Sequence, residues 1–269
     1  MKYIPKLPDG DINAPTTNLL KDFIYFLAIL ILVIIFIYVF LGFLVDIVAE
    51  KISPEFEEKL AYNYMMMFEK KPITVKEKKL QKFLNDLVSY TDLKNRKFNA
   101  RILETKQVNA LAMPGGNIIV LSGLLKTVKT ENQLAYVLYH ELGHYAHKDH
   151  LRGLGRGLVL SLIATVLFGS DTFFNRTLSS SISNIQLKYT RSQEIKADLY
   201  AIDLLYKKYK NVAGATDLLI VFGKNEPASK AFSLFTTHPH YSDRIKAIDN
   251  YIKKKNYKVL MNSQIKLNL

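Results

Sequence analysis

Hydrophobic and polar residues alternate with several different periods along this chain, and each change of period marks an element. Residues 1–22 are polar and hold Pro5, Pro8, Gly10 and Pro15, which reads as an irregular N-terminal arm. From Phe23 to Val45 there is no charge, and Ile, Leu, Phe and Val dominate. At 1.5 Å per residue this run makes a helix of about 35 Å, enough to cross a hydrocarbon core of about 30 Å. The run is too long for the apolar core of a cleaved leader, and no small-residue cleavage site follows it, so it predicts a retained anchor. Residues 46–72 carry Asp46, Glu50, Glu55, Glu57 and Glu58 and then Met65-Met66-Met67, a juxtamembrane linker helix that ends at Lys70-Lys71-Pro72.

A soluble domain is expected over 73–269. Lys76 to Tyr90 is amphipathic with a helical period, its apolar side made by Leu80, Phe83, Leu84 and Leu87. The period then shortens to two. Phe98–Leu103 and Val108–Met113 alternate like strands, Pro114-Gly115-Gly116 is a turn, and Asn117–Leu121 is a third strand. An edge strand of such a sheet is suited to pairing with an extended peptide. From Thr130 the helical period returns: Thr130 with Gln133 forms a capping-box start, and Leu134, Val137, Leu138 and Tyr145 line one side. Leu158–Phe168 is a further apolar run of eleven residues, too short to span a bilayer. It reads as a buried helix, with a membrane-skimming element as the alternative. Residues 171–184 are rich in Ser and Asn and read as a loop.

Composition narrows the chemistry. The chain has 269 residues, a net charge of +13 and no cysteine, so thiolate metal sites and disulfides are excluded. The basic excess concentrates in 206–269, where a solvated surface is the plain reading and anionic headgroups the functional one. No basic motif interleaved with aromatics is present, so no nucleic-acid partner is expected. All six histidines fall between His140 and His240, four of them within 140–150.

That clustering includes His140-Glu141-Leu142-Gly143-His144. On a helix, residues four apart share a face, so the two imidazoles aim at one point and supply half of a tetrahedral zinc shell. Glu141 stands beside the first of them, placed to take a proton from a metal-bound water. Two residues compete as third ligand. His150 has metzincin-like spacing, but His147 stands where that layout needs glycine to turn the chain back, and downstream only Met261 is available for a Met-turn. Glu194, in a second helical stretch, is the better candidate: a carboxylate from a separate helix completes a His₂Glu shell and leaves one place for water. Asp198 lies one turn on and is placed to accept the second N–H of His140.

With these residues in view the chain resembles the HtpX-like and CAAX prenyl protease family of membrane-associated zinc metallopeptidases. The resemblance covers about residues 75–250. It rests on Asn109-Ala110-Leu111-Ala112-Met113-Pro114-Gly115-Gly116, on the His140–His144 motif, on Glu194 with Ala197-Asp198, and on His238-Pro239. It implies one zinc ion held by His140, His144 and Glu194, with Glu141 as general base. It also implies an α+β, predominantly helical zincin-like domain with a small sheet before the active-site helix. The resemblance places His238 near the metal cleft, as an oxyanion donor or as a cover for the open position, and makes Arg244 a partner of an active-site carboxylate or of substrate. Family members have several spans and this chain has one clear one, so it looks more like single-anchor members associated with turnover of damaged membrane and envelope proteins. The expected protein is therefore a single-pass zinc endopeptidase of the bacterial inner membrane. Lys2, Lys6 and Lys21 before the span, against Lys51 and Lys59 after it, favour a peptidase domain on the non-cytoplasmic side. The alternative is a zinc-stabilised membrane adaptor that binds client proteins without cutting them.

Overall fold

The computed structural model describes residues 18–69, 72–168, 189–224, 238, 241–261 and 265–268. The loop expected over 171–184, and residues 1–17 of the N-terminal arm, lie outside them. Helix α1 (Leu19–Lys51) contains the whole uncharged run and is long and apolar enough to cross a membrane; of its residues only Gly42 and Ala49 are buried. Helix α2 (Pro54–Glu69) follows after a short break, then α3 (Val75–Val88), whose start is fixed by a capping box between Thr74 and Glu77. Buried Glu77 also accepts the Ile102 N–H at 3.0 Å, which ties α3 to the sheet.

The sheet has three strands, β1 (Asn99–Leu103), β2 (Ala110–Met113) and β3 (Asn117–Leu121), in the order β1-β3-β2. β3 is central and fully buried, β1 runs parallel to it and β2 antiparallel, with Ala112 opposite Ile118. All three expected strands are present. After the short α4 (Ser122–Thr127) comes α5 (Glu131–Ala146), opened by the expected Thr130–Gln133 capping box. Its apolar residues predict one buried face, yet every residue from Asn132 to Tyr145 is buried. The sheet, α3 and the helices Asp149–Phe168, Ala215–Lys224 and above all Arg191–Tyr209 pack around it, so α5 is the axis of the domain.

Helix α6 (Asp149–Phe168) leaves the end of α5, packs along α1, and is followed by α7 (Arg191–Tyr209), α8 (Ala215–Lys224) and α9 (Tyr241–Lys255). Here the structure corrects the sequence reading. The apolar half of α6 is not a core helix, because Leu160, Leu162, Val166 and Leu167 stand exposed on it at 52%, 50%, 77% and 47%.

Helices α5 and α7 approach unusually closely. A Cβ on Gly143 would lie 3.0 Å from the Ala197 Cα and 3.1 Å from its carbonyl oxygen. Only glycine facing alanine lets the two backbones meet here, and that approach brings the side chains of α7 to those of α5.

Candidate metal centre

Helix α5 presents His140 and His144 on one turn, with their Nε2 atoms 3.1 Å apart. From α7, buried Glu194 places one carboxylate oxygen 3.5 Å from His140 Nε2 and the other 3.5 Å from His144 Nε2. His238 adds a fourth donor: its Nδ1 lies 2.9 Å from Glu194 Oε1 and 3.2 Å from His140 Nε2. One atom from each of these four buried residues lies within 4.8 Å of all the others. Zinc bonds of about 2.0–2.2 Å at tetrahedral angles separate neighbouring donors by roughly 3.3–3.5 Å. The donor types and their spacing fit a zinc ion.

The far ring nitrogens of the α5 histidines both lie against carboxylates, and that of His144 is hydrogen-bonded to its own. His140 Nδ1 lies 2.8 Å from Asp198 Oδ1, and His144 Nδ1 lies 3.0 Å from Asp149 Oδ2. Gln193, whose side chain closes the α7 capping box with Thr190, donates to the other Asp149 oxygen at 2.8 Å. Asp198 accepts from Tyr136 at 2.7 Å and takes two 2.7 Å hydrogen bonds from the Arg244 guanidinium. Arg244 also reaches Glu194 at 2.7 Å and the His238 carbonyl at 3.2 Å, so one buried cation from α9 binds Glu194, Asp198 and the His238 backbone.

These contacts set the protonation of the metal-free cluster. Burial alone would raise the carboxyl of Asp198, but the Arg244 guanidinium holds it below the usual carboxylate range. Glu194 is treated the same way: burial opposes ionisation, and the charges of His238 and Arg244 keep its carboxyl well below its ordinary value. Burial would lower His144, yet its contacts with Asp149 and Glu194 push it up to about 9. For His238, burial prevails and lowers it.

Glu141 faces the same cluster. One of its oxygens accepts the Ala112 N–H of β2 at 2.9 Å, while the other makes no hydrogen bond and lies 3.6 Å from His238 Nε2. A narrow cavity beside it is lined by Val137, His140, Leu218, Leu219 and Tyr241.

The expected site residues His140, Glu141, His144, Glu194, Asp198, His238 and Arg244 all meet here, and His150 does not. The sequence argument against His150 held that α5 would run on through His147. Instead α5 stops at Ala146, and Lys148 takes a left-handed conformation with φ 55°. His150 is nonetheless directed away, its ring stacked on Tyr145 at 4.5 Å and its Nε2 3.6 Å from Glu57. Four participants escaped the sequence reading: Tyr136 and Gln193, which donate to Asp198 and Asp149, Asp149 itself, and Tyr189, stacked on the His144 ring at 3.8 Å. The only hint of Asp149 was its place just beyond the motif, and Tyr189 carried no signal.

Two histidines one turn apart, a carboxylate from a second helix and a free-edged glutamate beside them define a zinc metallopeptidase-type centre. The chain belongs to peptidase family M48, whose profile matches residues 74–252. It is 28% identical over 155 residues to the metalloprotease LoiP of Escherichia coli, covering 56% of this chain and 61% of that protein. It is 27% identical over 210 residues to a putative beta-barrel assembly-enhancing protease of Vibrio cholerae, covering 70% of this chain and 43% of the relative. It is also 32% identical over 100 residues to the mitochondrial metalloendopeptidase OMA1 of Arabidopsis thaliana, covering 36% and 20%. The chain thus spans less than two thirds of the length of each of these relatives.

Proposed function

We propose that the protein is a membrane-anchored zinc endopeptidase. The observation that carries this reading is the convergence of His140, His144 and Glu194 from two helices, with the unbonded Glu141 oxygen facing the same point. In this reading those three residues hold the ion. When bound there, zinc acidifies a water and polarises the scissile carbonyl. Glu141 takes the proton from the attacking water and delivers it to the leaving amine. The Ala112 N–H, bonded to the other Glu141 oxygen, keeps the carboxylate aimed. Asp198 and Asp149 fix the tautomers of His140 and His144, so that each turns a lone pair to the ion. Arg244 neutralises the two buried carboxylates of α7 and anchors His238 through its carbonyl. His238, whose Nδ1 lies beside Glu194 and His140, would supply a fourth donor to a bound ion; turned away from it, the same ring is the candidate oxyanion donor. Strand β2 lies at the sheet edge beside Glu141, where an extended substrate could add as a further strand.

The substrates of this reading are membrane or envelope polypeptides, supported by α1 and by the similarity to beta-barrel assembly-enhancing proteases. We infer one crossing of a bacterial inner membrane by α1, with the peptidase domain outside, on the lysine balance around the span. Zinc content measured together with casein hydrolysis, with and without a chelator, tests the enzyme. Glu141→Gln should retain zinc and lose hydrolysis. Equal cleavage by both forms would remove Glu141 from the mechanism, and absence of zinc would remove the whole reading. Protease accessibility of the domain in intact spheroplasts tests the orientation.

A further inference from the structure

The distal half of α6 presents apolar side chains to the outside, and its position relative to α1 identifies what covers them. The two helices run antiparallel. Lys148, just before α6, donates to the Glu50 and Ile52 carbonyls at the C-terminal end of α1, at 2.9 and 2.8 Å. One turn on, Arg152 bonds Glu50 at 2.9 Å, and Arg156 bonds both Asp46 oxygens at 3.0 and 2.8 Å. Between them the helices touch: a Cβ on Gly155 would come within 2.6 Å of a Val45 methyl. Beyond this charged band both helices become apolar on the same side of it. The less exposed positions of α1, Ile34, Tyr38, Leu41, Gly42, Val45 and Ala49, recur every three or four residues, and among the described elements only α6 packs extensively on this helix.

We propose that the distal half of α6, from Leu158 to Leu167, lies in the lipid bilayer beside α1 without crossing it, and so holds the metal cluster at the membrane surface. The proposal rests on the reading of α1 as the span. Given that span, α6 has no other place to go, because its apolar half runs back along the uncharged part of α1. By length and hydropathy the whole of Asp149–Leu167 could cross a membrane, but Arg152 and Arg156 hold its first half in the charged band against Glu50 and Asp46; the ten residues beyond make about 15 Å of helix, half of a hydrocarbon core of about 30 Å, so this segment enters but does not traverse. Of its two polar side chains, Thr165 is satisfied in the way such a medium requires, while the Ser161 hydroxyl makes no hydrogen bond. Thr165 donates to the Ser161 carbonyl of its own helix at 2.9 Å, and Ser161 is turned inward with 1% exposure. The outward positions are Leu160, Leu162, Val166 and Leu167.

The consequence falls on the chemistry. Asp149, which contacts His144, opens α6, and Tyr189 stacks on the same imidazole. About 14 Å of helix separates Asp149 from Leu158. A substrate bond reaching this cluster therefore lies roughly a headgroup layer above the hydrocarbon, which suits the juxtamembrane segments of membrane proteins.

The chain contains no tryptophan, so a single one can be read without background. Val166→Trp and Leu162→Trp, each in the full chain reconstituted in phosphatidylcholine vesicles, should lose most of their emission when the acyl chains are brominated and little with aqueous acrylamide. Phe36→Trp on α1 is the reference for the span, and Val75→Trp on α3 the reference for water. Quenching of both α6 positions by acrylamide would overturn the proposal. So would protection from both quenchers, since protein or a second copy would then cover the helix. If Phe36→Trp itself escapes the brominated lipid, the span reading fails, not only the placement of α6.

Discussion

The Asp149 carboxylate lies 3.0 Å from Nδ1 of His144 and receives the Gln193 amide on its other oxygen. His144 is thereby gripped at its far edge by the first residue of α6, while Glu194 and His140 face its near edge. A carboxylate behind a metal-bound imidazole raises its basicity and fixes its orientation. Asp149→Ala should therefore weaken zinc binding by about 10–100-fold with the fold intact. Competition with a chromophoric chelator reads this directly, and an unchanged affinity would make Asp149 a mere helix-start residue.

The same contact gives zinc binding a pH dependence. In the metal-free protein His144 is pushed up to about 9, so at neutral pH it carries a proton that zinc must displace. The sign follows: affinity rises with pH by about tenfold per unit and levels off above about 9. Calorimetric titration of the stripped protein at pH 7.5, in two buffers of different ionisation enthalpy, should show about one proton released from this source. Identical heats in both buffers would contradict it.

Gly143 sits inside the motif between Glu141 and His144, and its role is steric. Alanine in an exposed helix is more stable than glycine by about 1 kcal/mol. Here the new methyl would meet the Ala197 backbone at 3.0 and 3.1 Å, so α5 and α7 must part by a few tenths of an ångström. Gly143→Ala should destabilise by about 1–3 kcal/mol and weaken zinc binding as well, because Glu194 rides on the helix that moves. Thermal unfolding with a parallel zinc titration checks both; a stabilised variant with full affinity would show that the helices have slack.

These relationships divide into those the sequence displays and those it does not. His140, Glu141 and His144 are legible because one helical turn fixes their geometry, and Glu194 with Asp198 because α7 repeats the same spacing of four. Asp149 is hidden because its position depends on a break at His147 and Lys148, where a lysine adopts φ 55° without any glycine or proline to announce it. Tyr189 is hidden because only the tertiary return of the chain brings it to His144. The apolar half of α6 reads first as core, with a membrane-skimming element second, because an apolar run of eleven residues looks the same whether protein or lipid surrounds it. Glu57, one acid among several in Glu55-Phe56-Glu57-Glu58, gives no sign from its neighbours that it is fully buried.

Glu57 carries the last prediction. It is a buried contact between α2, which also packs on the Pro114–Gly116 turn, and the domain that follows: it accepts the Tyr145 hydroxyl, pairs with Arg96 at 3.1 Å and lies 3.6 Å from His150. Burial by itself would raise its carboxyl, but the contacts with His150 and Tyr145 and the charge of Arg96 lower it from 4.5 to about 2. The folded state therefore favours the ionised form. Its contribution, about 2–3 kcal/mol, is complete above pH 4.5 and is lost as pH falls toward 2. Glu57→Gln removes that charge while keeping the shape. The variant should unfold at a lower temperature than the wild type at pH 7, and the gap should narrow between pH 4.5 and 3. Circular dichroism melts of both proteins in one detergent give the two curves. Parallel curves over that range would mean that Glu57 is not held as a carboxylate, and that the junction between α2 and the domain depends on packing alone.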